Sequence, residues 1–428
     1  MDDFVKGTGA TKSDVIVLGA GIIGTSIALH LARRGVGVTL VDTRGPGEGT
    51  SYGNAGVIEG NTIFPPAFPS DFRALLRIAL KRATEANYHL SFLPQVAPWL
   101  LAYRVNTRPE KLVETAHAMR PLFERAVVEH LDLMDESNAA HYMCSMGWLK
   151  VYRTDRGFES TASERTLAKE FRIPHRTLDQ KDALKLEPSL SPVFQHAILW
   201  TEAVSIIDPL KVTQAYARCF QSRRGRIVLA DARTLERSGS FWRISTSEGY
   251  IEAKDVVVAL GPWTPDILRP LGINLPLGIK RGYHHHFART SDCNIRRPIL
   301  DTEVGYCMTP MVQQGMGPVI RLTTGAEFAS RDAPPTPVQF DRLLPKARQL
   351  ISLGEPLEEK PWMGCRPCFA DSKPVIGPAP GQSGMWLAYG HAHWGLTLGP
   401  ATGRLVAELI TKAKPFCDPT PYRAERFT

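Results

Sequence analysis

Long apolar runs are missing from this 428-residue chain. None approaches the roughly 18 residues that a membrane-crossing helix needs. The most apolar short stretch, Ser91–Tyr103, is broken by Pro94 and Pro98 and reads as a buried or interfacial segment. A secretion-signal core is missing too, because Met1–Ser13 is polar and the first apolar run, Val15–Leu18, is too short. The expectation is a protein that stays in the cytoplasm where it is made. Cysteines are few and odd in number, at positions 144, 219, 293, 307, 365, 368 and 417. That is no disulfide framework, and it suits a reducing compartment. Metal-ligand patterns are also lacking. His284, His285 and His286 would alternate sides on a strand and make a poor cage, and no acidic cluster completes one, so no metal is expected. Cys365 and Cys368 have redox-motif spacing, but without a second C-x-x-C or a thioredoxin-like βαβ pattern they read as structural. The net charge of +8 has no concentrated patch behind it, only short clusters such as Arg223-Arg224 and Arg296-Arg297. Such spreading argues against nucleic acid as a partner. It leaves loose attachment to the inner, anionic face of a membrane as the use a basic chain could make of its charge. With 43% hydrophobic and 22% charged residues, the composition is that of an ordinary globular protein.

What is present begins at Val15-Ile-Val-Leu18, a β-branched run expected of a strand buried on both faces. It runs into Gly19-Ala20-Gly21-Ile22-Ile23-Gly24, then a helical pattern to about Arg34, a stop at Gly35, and a second strand ending at Asp42. Gly19 allows the tight turn, Gly21 admits a pyrophosphate to the backbone, and Gly24 lets helix and strand pack closely. The N–H groups of Ile22 and Ile23 open the helix, where the dipole favours phosphate. Asp42, with Thr43 and Arg44 beside it, sits where a carboxylate accepts ribose hydroxyls. Arg44 raises the possibility of a 2′-phosphate, but Asp42 would repel it. Gly49 to Gly56 follows directly, and its small and hydroxyl residues, among them Thr50, Ser51, Asn54, Ala55 and Gly56, suit a backbone pressed against a long, flat cofactor. No second G-x-G-x-x-G appears, so a reductase holding both FAD and NADPH is disfavoured. FAD is the expected cofactor.

This order of motifs resembles the D-amino-acid dehydrogenase branch of the FAD-dependent amino-acid oxidase superfamily, which includes glycine oxidase and sarcosine oxidase. The resemblance continues through Ile207-Asp208-Pro209, Val256 to Trp263, Lys280-Arg-Gly-Tyr283, Gly364 to Asp371 and Gly390 to Gly395, and spans about Ser13 to Lys412. It implies an α/β fold: a Rossmann-type, glutathione-reductase-like FAD domain (13–88, 205–270 and 362–428) with a discontinuous α+β substrate domain (89–204 and 271–361) on a mainly antiparallel sheet. Strands are read at Trp148–Tyr152, Tyr250–Ala253, Val256–Ala259, Val319–Thr323 and Met385–Tyr389. Helices are read at Lys111–Met134, bent or broken at Pro121, and at Gly395–Lys412.

The same resemblance implies site residues. Ala259, Gly261 and Trp263 would touch the ADP half of FAD, a core role being the alternative for Trp263. Gly395, Leu396 and Thr397 would present the start of the last helix to the flavin, where donors stabilise the negative charge of the reduced ring. Arg366 would hold the substrate carboxylate as a bidentate guanidinium, completed by Tyr306; a salt bridge and a core aromatic are the respective alternatives. Tyr52, His286 and His391 are the further substrate-side candidates. The FAD is expected to be noncovalent, because the cysteine register of covalently tethered relatives is not matched. The implied activity is oxidative deamination of a small amino acid, a D-amino acid or a cyclic imino acid such as hydroxyproline. It would proceed by hydride transfer from Cα to flavin N5, with electrons passed to a quinone or other carrier. The rivals are a glycine- or sarcosine-type oxidase using oxygen and a flavoprotein subunit of an opine-type oxidase complex.

Overall fold

The computed structural model describes residues 11–60, 64–69 and 71–427. Strand β1 (Thr11–Leu18) leads through the glycine turn into helix α1 (Ile22–Ala32), and β2 (Val38–Asp42) returns beside it. β1 pairs in parallel with β2 on one side and with Gly249–Val258 on the other, Ile16 lying against Thr39 and Val256. Such a strand is buried on both faces, and Val15 to Leu18 are indeed inaccessible. Arg226–Leu229 extends the sheet beyond β2, and Met385–Tyr389 joins it in parallel at Val256–Val258. Together with three antiparallel strands this makes an eight-stranded sheet among the described residues.

The two strands read at Tyr250–Ala253 and Val256–Ala259 are one continuous strand, Gly249–Val258, because its ladder to β1 runs on from Ala253 (against Ser13) to Asp255 (against Val15). The helix read over Lys111–Met134 is α4 (Pro109–Glu136), and it runs through Pro121 without a break. Its apolar face, with Met119, Leu122, Phe123, Ala126, Leu133 and Met134, packs in the same core as α1 and the final helix Gly395–Ile410. That burial offsets the hydrogen bond proline removes. The stretch Ser91–Tyr103 becomes most of α3 (Leu93–Asn106), which buries Val96, Trp99 and Tyr103 but leaves Leu101 exposed.

A second, mainly antiparallel sheet, of eleven strands among the described residues, is centred on the long strand Leu277–Arg289, which pairs with both Gly317–Thr323 and Trp362–Phe369. Its core is a separate cluster built on Leu149, Tyr283, Phe287, Met308 and Leu343. Chain crossings stitch the halves together: Trp362–Phe369 belongs to the second sheet although the chain then returns to the first. The strand expected at Trp148–Tyr152 is present and pairs with His196–Trp200. No helix among the described residues is long and apolar enough to cross a membrane.

Candidate active site

The carboxyl ends of β1, β2 and Gly249–Val258 open onto one cavity of about 1180 Å³. Its nucleotide end is built by local chain chemistry. Gly19 has φ +103°, and a Cβ there would stand 2.5 Å from the Ala259 carbonyl oxygen, so the turn requires glycine. Asp42 at the tip of β2 clamps this turn: its Oδ2 accepts from the Ala20 N–H at 2.7 Å and its Oδ1 from the Arg44 N–H at 3.1 Å. Ser51 Oγ accepts the Ile22 N–H at 2.9 Å. The first intrahelical bond runs from Thr25 N to Gly21 O, so the N–H groups of Ile23 and Gly24 precede the helical ladder. Arg44 lies over the Trp263 ring at 5.4 Å, and both line the cavity.

The far end assembles from distant segments. Thr50 Oγ1 donates to Cys365 O at 3.2 Å, and Asn54 Nδ2 donates to His393 O at 3.3 Å. Arg321, buried, donates to the carbonyls of Tyr52 and Asn54 at 2.8 Å each. The loop from Gly49 to Gly56 is thereby stapled between the two sheets. The final helix starts at Gly395, whose missing side chain would meet nothing within 4 Å. Its N-terminal N–H groups add a second positive dipole end at the cavity.

Arg366 comes from the strand Trp362–Phe369 and reaches over Gly282. A Cβ at Gly282 would stand 2.1 Å from Arg366 Nη2, so glycine there makes the space in which the guanidinium lies. Arg366 donates to the carbonyls of Gly325 at 3.0 Å and Thr324 at 3.2 Å, and among the described residues it has no acidic partner. Burial lowers its pKa from the ordinary arginine value. His391 is buried, sits 3.0 Å from Thr402 Oγ1, and is pushed down to about 3 by burial. His393 is likewise pushed down to about 3, by burial first and then by Arg366, Lys280 and Lys150. Both imidazoles are therefore neutral at physiological pH.

Of the residues expected from sequence, Gly19, Gly21, Ile22, Ile23, Asp42, Thr43 and Arg44 line the cavity at one end. Ala259, against Gly19, and Trp263, under Arg44, lie at that same end, and Thr50, Ser51, Asn54, Ala55, Gly261, Arg366, His391, Gly395 and Leu396 also line the cavity. Others lie behind the wall. A Cβ on Gly24 would meet Gly19 O at 1.8 Å, so Gly24 serves helix packing, and Gly56 is pressed on Ile206 O. Thr397 Oγ1 donates to Val57 O at 3.1 Å and steadies the wall from outside.

Three substrate-side expectations need correction. Strand alternation on Tyr306–Gln313 turns Cys307 to the cavity and buries Tyr306 in the second core, beside the Arg153–Asp301 ion pair. Tyr52 packs its ring against His284 and Trp362, with Arg321 over its face. His286 is held between Glu358 and Arg321 Nε, 2.9 Å from its Nε2. None of the three lines the cavity. Sequence reasoning also passed over Lys150, Lys280 and Trp362, which do. Lys280 had a usable signal, since it shares strand parity with Gly282 in a motif already singled out.

A parallel sheet feeding a glycine turn, an acid at the second strand tip, two helix starts and a cavity larger than the ~300–1,000 Å³ of usual ligand pockets define a dinucleotide-dependent oxidoreductase. The residues present fit FAD. The chain belongs to the DAO family, described as FAD dependent oxidoreductase, which matches residues 14–409. It is thus an FAD-dependent flavoprotein oxidoreductase. It is 28% identical over 421 residues to a D-amino-acid oxidase of Bradyrhizobium diazoefficiens, covering 96% of this chain and 98% of that one. It is 29% identical over 419 residues to a D-amino acid dehydrogenase of Paramagnetospirillum magneticum, covering 93% and 94%. Among solved structures, a glycine oxidase from Geobacillus kaustophilus superposes with a TM-score of 0.74 at 20% identity, covering 98% of this chain and 100% of that one. The L-proline dehydrogenase from P. horikoshii gives 0.73 at 20% identity, covering 98% of each.

Proposed function

We propose that the protein oxidises the C–N bond of a small free amino acid, a D-amino acid or a cyclic imino acid, with FAD held noncovalently. The relatives named D-amino-acid oxidase and D-amino acid dehydrogenase support the donor class. The observation that carries the reading is Arg366, a half-buried guanidinium on the cavity wall with only neutral partners. A substrate α-carboxylate supplies the charge it lacks, in the bidentate geometry guanidinium favours. FAD, when bound, supplies the two-electron acceptor. Arg366 fixes the substrate's orientation, the stapled loop from Gly49 to Gly56 and the turn His391–Trp394 shape the chamber and exclude water, and the neutral His391 and His393 add no competing charge. The amino acid gives up two electrons and two protons, and the imine is hydrolysed to a keto acid and ammonia; a cyclic substrate keeps its imine in the ring. The division into FAD and substrate units, 13–88, 205–270 and 362–428 against 89–204 and 271–361, goes with this reading. The first sheet draws its strands from the former set apart from Thr11 and Lys12, while Trp362–Phe369 of that set pairs in the second sheet.

A quinone or another carrier is the acceptor we favour, with oxygen as the rival. Helix α2 (Phe72–Ala79) bears on this. It buries none of its residues, and Phe72, Leu76 and the following Leu80 are exposed at helical spacing among Arg73, Arg77 and Lys81. An apolar stripe with basic flanks suits the surface of an anionic membrane, where quinones reside. Anaerobic mixing of the yellow protein with D-, L- and N-methyl amino acids tests the donor class. Bleaching of the flavin by D-amino acids is expected, and bleaching by none of the panel would overturn the reading. Stoichiometric peroxide during aerobic turnover would select oxygen over a carrier.

A further inference from the structure

The cavity wall carries Arg366, Lys280 and Lys150 together with Glu59, Glu85 and Glu164, and of these cations Arg366 and Lys280 form a facing pair. Lys280 stands directly opposite Arg366 in the antiparallel pair of Leu277–Arg289 with Trp362–Phe369, and both side chains line the cavity. Directly opposed residues share a face with Cβ atoms about 4.5–5.5 Å apart, and like charges so placed repel. Neither residue has an acidic partner among the described residues. Lys280 instead rests its ammonium over the rings of Tyr103 at 3.8 Å and Trp99 at 5.0 Å. Trp99 is itself fixed, donating to Cys368 O at 3.1 Å and lying where a Cβ on Gly278 would intrude. These aromatics orient the ammonium without cancelling its charge. Lys150, another cation of the cavity wall, differs: it pairs with Glu164 at 3.2 Å. All three cations line the same cavity as His393.

We propose that this space takes an amino acid with a second acidic group, the side-chain carboxylate going to Lys280 while Arg366 holds the α-carboxylate. The inference rests on the amino-acid reading above and narrows it to dicarboxylic substrates. A second anion turns an unfavourable pair of facing cations into a clamp.

The test uses the FAD-loaded protein, bleached anaerobically with D-glutamate, D-glutamine, D-aspartate and D-asparagine. The acids should exceed their amides in kcat/KM by about 30-fold or more, and Lys280→Met should bring that acid-to-amide ratio down to about one. Lys280→Arg should restore part of it. Glutarate and butyrate, neither of which can be oxidised at an amine, give a binding readout through perturbation of the flavin spectrum. Glutarate should bind the more tightly, and that advantage should vanish in Lys280→Met. Amides as good as acids, or a ratio unchanged in Lys280→Met because all substrates fall together, would overturn the proposal. The latter result would assign Lys280 to the cofactor's charge. If no amino acid bleaches the flavin, the amino-acid reading falls and this inference with it, whereas bleaching by neutral amino acids alone sinks only the inference.

Discussion

At Arg366 the chemistry is set by what the guanidinium lacks. Half-buried, and bonded to the carbonyls of Gly325 and Thr324, it is the residue we propose as the substrate anchor. Arg366→Ala should leave FAD bound and weaken substrate capture by about 30- to several thousand-fold, the ~2–5 kcal/mol of a buried charge contact. Rapid-reaction bleaching at rising substrate concentration measures it, and a normal bleaching rate would show that the anchor lies elsewhere. Gly282 is the complementary probe. Its Cα hydrogen occupies the place where a Cβ would sit 2.1 Å from Arg366 Nη2. Gly282→Ala should therefore displace Arg366, raise KM, and cost about 1–3 kcal/mol of stability through overpacking. A calorimetric scan alongside steady-state kinetics reads both effects. His391 and His393 show a different residue-scale lesson: histidines beside a reacting centre invite assignment as bases, yet burial pushes both down to about 3.

At the scale of single elements, β2 ends in the acid that holds the nucleotide turn. Asp42 accepts from Ala20 and Arg44 and faces the cavity. Asp42→Ala should weaken FAD binding by about 10- to 100-fold, the ~1.5–3 kcal/mol of a hydrogen bond to a charged group. The fraction of colourless protein after dialysis and titration with FAD would report it. Helix α2 makes a prediction of its own. Replacing Phe72, Leu76 and Leu80 with Ser should abolish co-sedimentation with anionic vesicles while the flavin is still reduced by substrate, since α2 buries nothing in the fold. Equal sedimentation of the triple variant would remove α2 from any membrane role. The reading of these elements from sequence was uneven for definite reasons. Strand β1, the glycine turn and α1 were legible because contiguous residues carry them. Pro121 was read as a bend or a break, and the break is absent because remote partners hold the helix together, Phe123 packing on Trp394 with ring centroids 5.2 Å apart. Tyr306 was misplaced because a motif gives a residue's position along a strand but not which face its side chain takes.

Across the whole molecule, buried histidines link stability to pH. Burial holds His30 at about 3 and His130 at about 4, and His391 at about 3, all within 4% of complete burial. The unfolded chain protonates each near its usual pKa of about 6.5, so below that value it binds protons that the native state refuses. Stability should thus be full above about pH 6.5 and fall as pH drops, each histidine adding a slope approaching about 1.4 kcal/mol per pH unit. Thermal midpoints recorded at stepped pH values test this, and His130→Asn should flatten the profile by close to one proton. A profile equally steep in the variant would place the linkage elsewhere.

The amino-acid sequence by itself determined the nucleotide half of this protein, because a turn, a helix start and a strand-tip acid are short-range features whose spacing carries their geometry. Only the tertiary structure decided the other half. It took folding to join Thr50 to Cys365 and Asn54 to His393, and to set Lys280 across from Arg366. The reason is physical: strand register chooses which of two opposite faces each side chain takes, and register is fixed by the packing of both sheets together.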